Sequence, residues 1–110
     1  LPISGVYDVS SGADFDDWPP PCLPEGDEGR EKSPLYRIAE APPPCLVTWG
    51  GEDYPFLIPQ GKAFAQSLAD GGGDVETLEI PGKTHFTVLG DGADPAGAWN
   101  KRAVSWISAH

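Results

Sequence analysis

The middle of the chain alternates between strand-like and helical patterns, and this alternation constrains the fold most. The run CLVTWGG, residues 45–51, is continuously apolar until two glycines stop it, which is typical of a strand buried on both faces of a parallel sheet. In QGKAFAQSLADGGG, residues 60–73, Phe64 and Leu68 share one helical face, and a glycine run ends the helix. VETLEI, residues 75–80, has the pattern of a second strand. This order predicts parallel strands joined by a right-handed crossover.

Two further segments flank this unit. LPISGVYDV, residues 1–9, contains β-branched and aromatic residues and predicts a buried strand that leads into a loop. Asp94 and Pro95 suit the N-cap and first position of a closing helix. Its apolar face would contain Trp99, Ala103, Trp106 and His110 at helical spacing. The sequence thus predicts an α/β fold with about three parallel strands, two flanking helices and one sheet edge that needs a partner.

Residues 11–44 differ from the rest in composition. Asp, Glu, Pro and Gly dominate this segment, and it contains eight of the chain's 13 prolines. We expect a long, irregular Pro/Asp-rich insert of the lid type, since so long a structureless stretch is uncommon in a compact domain. A short helical turn is expected over residues 34–39, with Ser33 as its N-cap. Trp18 is either a lid aromatic or a loosely packed loop residue.

Charge and hydropathy exclude several function classes. A net charge of −10 disfavours binding to nucleic acid or to an anionic membrane surface, because phosphate binding needs a basic face. No apolar run is long enough for a membrane span, and no signal peptide pattern opens the chain.

The first residue is Leu1, so we interpret the chain as a piece that begins within a longer protein. A cytoplasmic location is expected, with a secreted precursor as the alternative.

The cysteines and acidic residues do not predict a metal site. Cys22 and Cys45 have no zinc-type spacing; we expect two free thiols and keep a disulfide as the less favoured alternative. The acidic run GADFDDW, residues 12–18, lacks the glycine and terminal glutamate of an EF-hand, which favours a solvated acidic loop.

An acid and a histidine each follow a predicted strand. Asp53 comes just after the strand over residues 45–50, and His85 comes just after the strand over residues 75–80, in a segment 81–93 that we expect to be a loop. Sites of open α/β sheets lie beyond the carboxyl ends of the strands, so the two side chains are expected in one crevice. A carboxylate there would fix the tautomer of an imidazole base. Glu52 is the alternative acid.

Several segments resemble the last third of an α/β-hydrolase, in the esterase-like branch that includes kynurenine formamidase (arylformamidase). Residues 45–88 carry most of this resemblance, and SGVYDV at 4–9, SPL at 33–35 and THFTV at 84–88 resemble further parts of that branch. The resemblance covers nearly the whole chain except residues 11–31. It implies that residues 1–110 are the C-terminal part of one hydrolase domain, with 11–44 as the insert and 45–110 bearing the acid and the histidine.

The resemblance matches Asp53 to the acid and His85 to the base of a Ser-His-Asp triad. It implies hydrolysis of a small carboxylic ester or aryl formamide without a cofactor or metal. The family's Gly-x-Ser-x-Gly elbow and its oxyanion-hole loop are both missing from this sequence. The nucleophile is therefore expected on an N-terminal part or on a partner chain, which would also cover the open sheet edge. Trp49, Tyr54 and Phe86 are the substrate-binding candidates, although packing is the more common role of such aromatics.

Two other functions stay open at this point. The chain could be a non-catalytic binding or regulatory fragment that keeps a hydrolase-like remnant. It could also be an unrelated small α/β binding domain in which Asp53 and His85 are incidental.

Overall fold

The computed structural model of the protein describes residues 1–10, 13, 15 and 26–110. Its named elements, in chain order, are α1 (Glu28–Lys32), a 3-10 turn (Pro34–Tyr36), β1 (Cys45–Gly50), α2 (Leu57–Asp70), β2 (Val75–Ile80), α3 (His85–Ala93) and α4 (Ala98–Ala109). The part of the chain that is described contains no helix with the length and hydropathy that a membrane crossing requires. Trp18, Cys22 and most of the acidic run 12–18 lie outside these residues, and Cys45 has a free thiol.

A β1–α2–β2 unit forms the centre of the fold. The two strands are parallel and in register from Cys45 opposite Val75 to Gly50 opposite Ile80. The predicted strand–helix–strand order is confirmed, and the protein has a small mixed α/β architecture. Helix α2 begins three residues before the predicted start because Pro59 is accommodated in its first turn, where a missing N–H is harmless.

The prediction of a strand over residues 1–9 is wrong in its length. Residues 1–9 contribute only one isolated parallel bridge, between Ile3 and Thr48, so the described sheet has two strands. The chain leaves the sheet because the backbone N–H groups of Tyr7 and Asp8 both donate to Oε1 of Gln60, at 2.9 Å each. A glutamine side chain on α2 thus takes the place of a neighbouring strand.

Residues 81–84 after β2 form the predicted loop, but residues 85–93 are helical, which corrects the rest of the predicted loop over 81–93. Thr84 and Thr87 form a capping box: the side chain of Thr87 accepts from the Thr84 N–H at 2.8 Å, and that of Thr84 accepts from the Thr87 N–H at 3.3 Å. These bonds satisfy the first free N–H groups of α3. Gly90 and Gly92, which weaken a helical pattern, hid this helix in the sequence.

The closing helix is confirmed, but its start is not. Helix α4 begins at Ala98 with Gly97 as N-cap, instead of at Asp94 and Pro95. Asp94 ends α3 in an extended conformation, as is usual before proline, and the Gly97 N–H donates to its carbonyl at 2.8 Å. The four residues between the helices therefore form a turn.

The described part of the predicted insert is partly regular. Residues 28–32 form α1, which the composition did not predict, and the expected turn over 34–39 is a 3-10 turn over Pro34–Tyr36. Ser33 precedes that turn, but its buried hydroxyl donates to the Gly29 carbonyl at 2.6 Å instead of capping the turn.

The main core lies between the sheet and α2. Val47 and Trp49 on one face of β1 pack with Tyr7 and with Ala65 and Leu68 of α2. Alternation along the strand directs Leu46 and Thr48 to the other face, and α3 and α4 also contact β1. The sheet thereby fixes the positions from which the loops after β1 and β2 depart.

Candidate functional site

Three segments reach the same edge of the sheet. β1 ends at Gly50 and β2 ends opposite it at Ile80, while the bridge at Ile3 brings the N-terminal segment alongside β1. The residues that follow these positions include Asp53, His85 and Ser4. Parallel strands place their carboxyl ends together, so this convergence follows from the topology.

The two loops after β1 and β2 are joined by backbone hydrogen bonds. The N–H of Glu52 donates to the carbonyl of Lys83 at 2.9 Å, and the N–H of Gly51 donates to that of Ile80 at 2.9 Å. A Cβ atom on Gly50 would overlap the carbonyl oxygen of Lys83, so only glycine permits this approach. The acid-bearing loop and the histidine-bearing loop are thus held as one unit.

A short turn and a helix start set the position of His85. Gly82 adopts a φ of +70°, which favours glycine, and turns the chain after β2. Thr84 is the N-cap of α3, which makes His85 the first residue of that helix. The imidazole is therefore carried by a capped helix end.

Asp53 and His85 are in direct contact. Oδ1 of Asp53 lies 3.2 Å from Nδ1 of His85, and the side chain of Asp53 is fully buried whereas that of His85 is 28% exposed. Oδ1 also accepts the backbone N–H of Tyr54 at 2.8 Å. A buried carboxylate fixed by the backbone thus supports a partly exposed imidazole.

The surroundings of Nδ1 fix the tautomer of His85. The hydroxyl of Ser4 donates to Oδ2 of Asp53, and its oxygen lies 2.7 Å from Nδ1 of His85. Since a carboxylate is only an acceptor and the Ser4 proton is already used, Nδ1 must be the donor. The lone pair of the neutral ring is then on Nε2, which has no hydrogen-bond partner among the described residues.

Ser4 is the part of the site that sequence reasoning missed. The apolar pattern predicts one continuous strand over residues 1–9, and that prediction places Ser4 inside the strand. The signal was the dipeptide Ser4–Gly5, a common chain-turning pair. Had the strand been ended there, Ser4 would have fallen at a carboxyl end like Asp53 and His85.

A cavity of about 370 Å³ opens beside His85. This volume lies at the lower end of the roughly 300–1,000 Å³ typical of small-molecule sites. Its lining consists of Glu52, Asp53, Tyr54, Pro55, Thr84, His85 and Phe86. The ring of His85 lies 5.3 Å from that of Tyr54 and 5.3 Å from that of Phe86, measured between centroids. The base is therefore flanked by two aromatic side chains at the wall of an apolar cavity.

The structure brings four of the five predicted site residues together. Asp53, His85, Tyr54 and Phe86 line this one cavity, but Trp49 does not. Trp49 points toward α2, packs in the main core and donates from Nε1 to Oε2 of Glu79 at 3.0 Å.

Glu52, the alternative acid, is exposed at the cavity, whereas Asp53 is the acid that contacts the imidazole. Within the described ranges, no group of three or more His, Cys, Asp or Glu side chains could hold a metal ion. The arrangement is an oriented imidazole base with an accessible side toward a small apolar cavity. Such a base can accept a proton from a hydroxyl group or water placed there.

Comparisons with protein-family models, curated proteins and solved structures found no match to this chain.

Proposed function

We propose that this chain supplies the acid and the base of a serine hydrolase of the α/β-hydrolase type, which cleaves small carboxylic esters or aryl formamides. The nucleophilic serine lies on an N-terminal part of the same protein or on a partner chain. In this proposal Asp53 is the triad acid and His85 is the triad base.

The observation that carries the proposal is the contact between Asp53 and Nδ1 of His85 at the carboxyl ends of parallel strands. A triad needs the acid on Nδ1 so that Nε2 can take the proton of the nucleophile. Nε2 of His85 is without a partner among the residues described, and His85 lines the cavity.

The reaction follows from these positions. A serine oxygen approaching Nε2 loses its proton to His85 as it attacks the acyl carbon, and a C–O or C–N bond to the leaving group breaks as His85 returns that proton. Water then attacks the acyl-serine with His85 again as base, which releases the acid and regenerates the serine. Asp53 stabilises the imidazolium formed in each half-reaction.

Ser4 does not fit the role of nucleophile. It faces Nδ1, it is buried, and its proton is bonded to Asp53. The sequence has no Gly-x-Ser-x-Gly elbow either. These features favour a nucleophile that approaches Nε2 from another part of the assembly.

The cavity supports an aromatic or apolar acyl substrate. Tyr54 and Phe86 enclose it with rings whose centroids are 6.4 Å apart, and Phe86 is 70% exposed at its mouth. The two rings meet edge to face, with their planes at 80°, so a flat aromatic group would pack on the exposed face of Phe86 instead of between them.

The test is to purify the protein in its natural assembly and to measure its mass by native and then denaturing mass spectrometry, with and without a fluorophosphonate probe. We expect a serine of the assembly outside these 110 residues to carry the probe, whether on a longer form of this polypeptide or on a second one beside an 11.7 kDa chain. The labelled assembly should lose hydrolysis of an aryl ester and of a formanilide. An unlabelled assembly without esterase or formamidase activity would contradict the proposal and favour a binding fragment.

A further inference from the structure

Ser4 links the two residues of the proposed catalytic pair. Its side chain is buried, donates to Oδ2 of Asp53 and lies 2.7 Å from Nδ1 of His85. We infer that Ser4 is a positioning residue, whose hydroxyl holds Asp53 and the Nδ1–H tautomer of His85 in place so that Nε2 stays free as the base. This inference rests on the proposed function.

The hydrogen bonds of Asp53 and His85 explain why a hydroxyl group is needed between them. Oδ1 of Asp53 accepts a hydrogen bond from the Tyr54 N–H. Among the described residues, Ser4 alone donates a hydrogen bond to Oδ2. The direct bond between Nδ1 and Oδ1 is 3.2 Å, at the long end of the usual range, whereas Nδ1 to Ser4 Oγ is 2.7 Å. Ser4 therefore provides the closer acceptor for the Nδ1 proton.

The backbone of Ser4 supports a specific role for its side chain. Ser4 has a φ of +49°, one of two positive values found at non-glycine positions in the described ranges, the other being Ala41 at +51°. Glycine would adopt this conformation at no steric cost. The Ser4 N–H donates to the Thr48 carbonyl at 2.8 Å, which ties this conformation to β1. A serine in place of glycine there gains the contacts of its hydroxyl.

Removing the hydroxyl leaves Oδ2 of the buried carboxylate without its donor and Nδ1 with only the longer contact. The imidazole can then take the other tautomer, in which Nε2 carries the proton and cannot act as a base. We expect the ratio of the two neutral tautomers to shift by about tenfold, the factor that one ordinary hydrogen bond represents.

The first experiment measures this ratio in the 110-residue chain, by ¹⁵N NMR of the His85 ring at alkaline pH. In the unaltered chain we expect Nδ1 to be the protonated nitrogen and Nε2 the unprotonated one. Ser4→Ala should shift the population toward protonated Nε2. Ring nitrogen shifts that are identical in Ser4→Ala and the unaltered chain would overturn the inference.

Ser4→Gly is the second variant, in case Ser4→Ala does not fold. It also lacks the hydroxyl, but it relieves the left-handed backbone, so folding should be retained. Ala41→Gly is the matched control, because it relieves the same kind of backbone conformation away from the site. We expect Ser4→Gly to change the His85 signals and Ala41→Gly to leave them unchanged; the reverse result would show that only backbone strain is involved.

The second experiment uses the natural assembly and separates failure of the inference from failure of the proposed function. Ser4→Gly should lower kcat for an aryl ester about 10- to 100-fold, with KM nearly constant. The unaltered assembly must hydrolyse the ester if the proposed function is correct. An active assembly whose kcat is insensitive to Ser4→Gly would refute the positioning role and leave the hydrolase proposal intact.

Discussion

The carboxylate of Asp53 is fully buried beneath an imidazole of His85 that is 28% exposed, with 3.2 Å between Oδ1 and Nδ1. Burial strengthens the interaction of the carboxylate with the ring, because the dielectric constant around it is low. The partly exposed ring lines the cavity, and its other nitrogen has no hydrogen-bond partner among the described residues. This division of burial between the two partners is what an oriented base requires.

Asp53→Asn should abolish most of the activity of the assembly while preserving the shape of the site. An amide can turn an N–H toward Nδ1 and so favour the wrong tautomer, and it cannot stabilise the imidazolium. We expect kcat to fall by roughly 10⁴-fold, as in triads altered in this way. Glu52→Gln is the matched control, because Glu52 lines the same cavity but is exposed. Steady-state hydrolysis of an aryl ester measures both variants; a larger loss for Glu52→Gln would assign the acid role to Glu52.

Gly50→Ala should displace the histidine-bearing loop. The added methyl group would overlap the backbone of Lys83, two residues before His85, and backbone cannot move aside as a flexible side chain does. We expect a loss of about 1–3 kcal/mol in the free energy of unfolding, together with reduced activity.

Gly90→Ala is the control for that substitution. Gly90 lies in α3 with no atom within 4 Å of the position of an added Cβ. Its replacement should stabilise the protein by roughly 0.5–1 kcal/mol, because alanine loses less backbone entropy in a helix. Urea unfolding measures the free energy of unfolding of both variants. Equal changes for Gly50→Ala and Gly90→Ala would argue against the close approach of Gly50 to the Lys83 carbonyl.

The parts of the site that the sequence predicted are those fixed by regular elements. The β1–α2–β2 order could be predicted from apolar runs and glycines, and it alone places Asp53 and His85 at one sheet edge. Tyr54 and Phe86 are their chain neighbours, so they follow them into the cavity. Trp49 lies inside β1, where strand alternation directs it to the α2 face, away from the cavity.

Other features depend on side-chain contacts between distant residues, which a pattern in one segment does not contain. The N-terminal segment leaves the sheet because Gln60 accepts its N–H groups, over a separation of more than 50 residues. Ser4 reaches Asp53 across 49 positions and His85 across 81. The start of α3 is different: its Thr84–Thr87 capping pair is local, and it was concealed by the glycines that follow.

Phe86 and Trp49 should respond in opposite ways to substitution. Phe86→Ala should raise KM for an aryl ester about fivefold, corresponding to roughly 1 kcal/mol of lost apolar contact. It should leave the midpoint of urea unfolding nearly unchanged, because the side chain is 70% exposed.

Trp49→Phe should lower the free energy of unfolding by about 1–3 kcal/mol and leave KM unchanged. A KM effect for Trp49→Phe with unaltered stability would mean that Trp49 contacts substrate.

His110, at the end of α4, should make stability depend on pH. Its Nδ1 lies 2.8 Å from the Trp106 carbonyl and its Nε2 lies 2.7 Å from Oδ2 of Asp74. Both partners are acceptors, so both ring nitrogens must donate, and only the imidazolium has two N–H groups. The hydrogen bond to Asp74, assisted by that to the carbonyl, raises the pKa of His110 above its ordinary value, although desolvation and, to a smaller extent, the charge of Arg102 oppose the shift.

Because the pKa of His110 is raised in the folded protein, its stabilising contribution is complete below the unfolded value of about 6.5 and is lost as the pH rises through the folded pKa. We expect His110→Gln to destabilise the protein at about pH 5.5 and to have a progressively smaller effect as the pH rises, because the imidazolium of the unaltered chain then loses its proton. Asp74→Asn should reduce the same pH dependence.

The measurement is the midpoint of urea unfolding for the three proteins from about pH 5.5 upward. His85 is the other histidine of the chain, so the difference between the unaltered protein and His110→Gln isolates His110. A difference that stays constant with pH would show that the two hydrogen bonds do not favour the imidazolium.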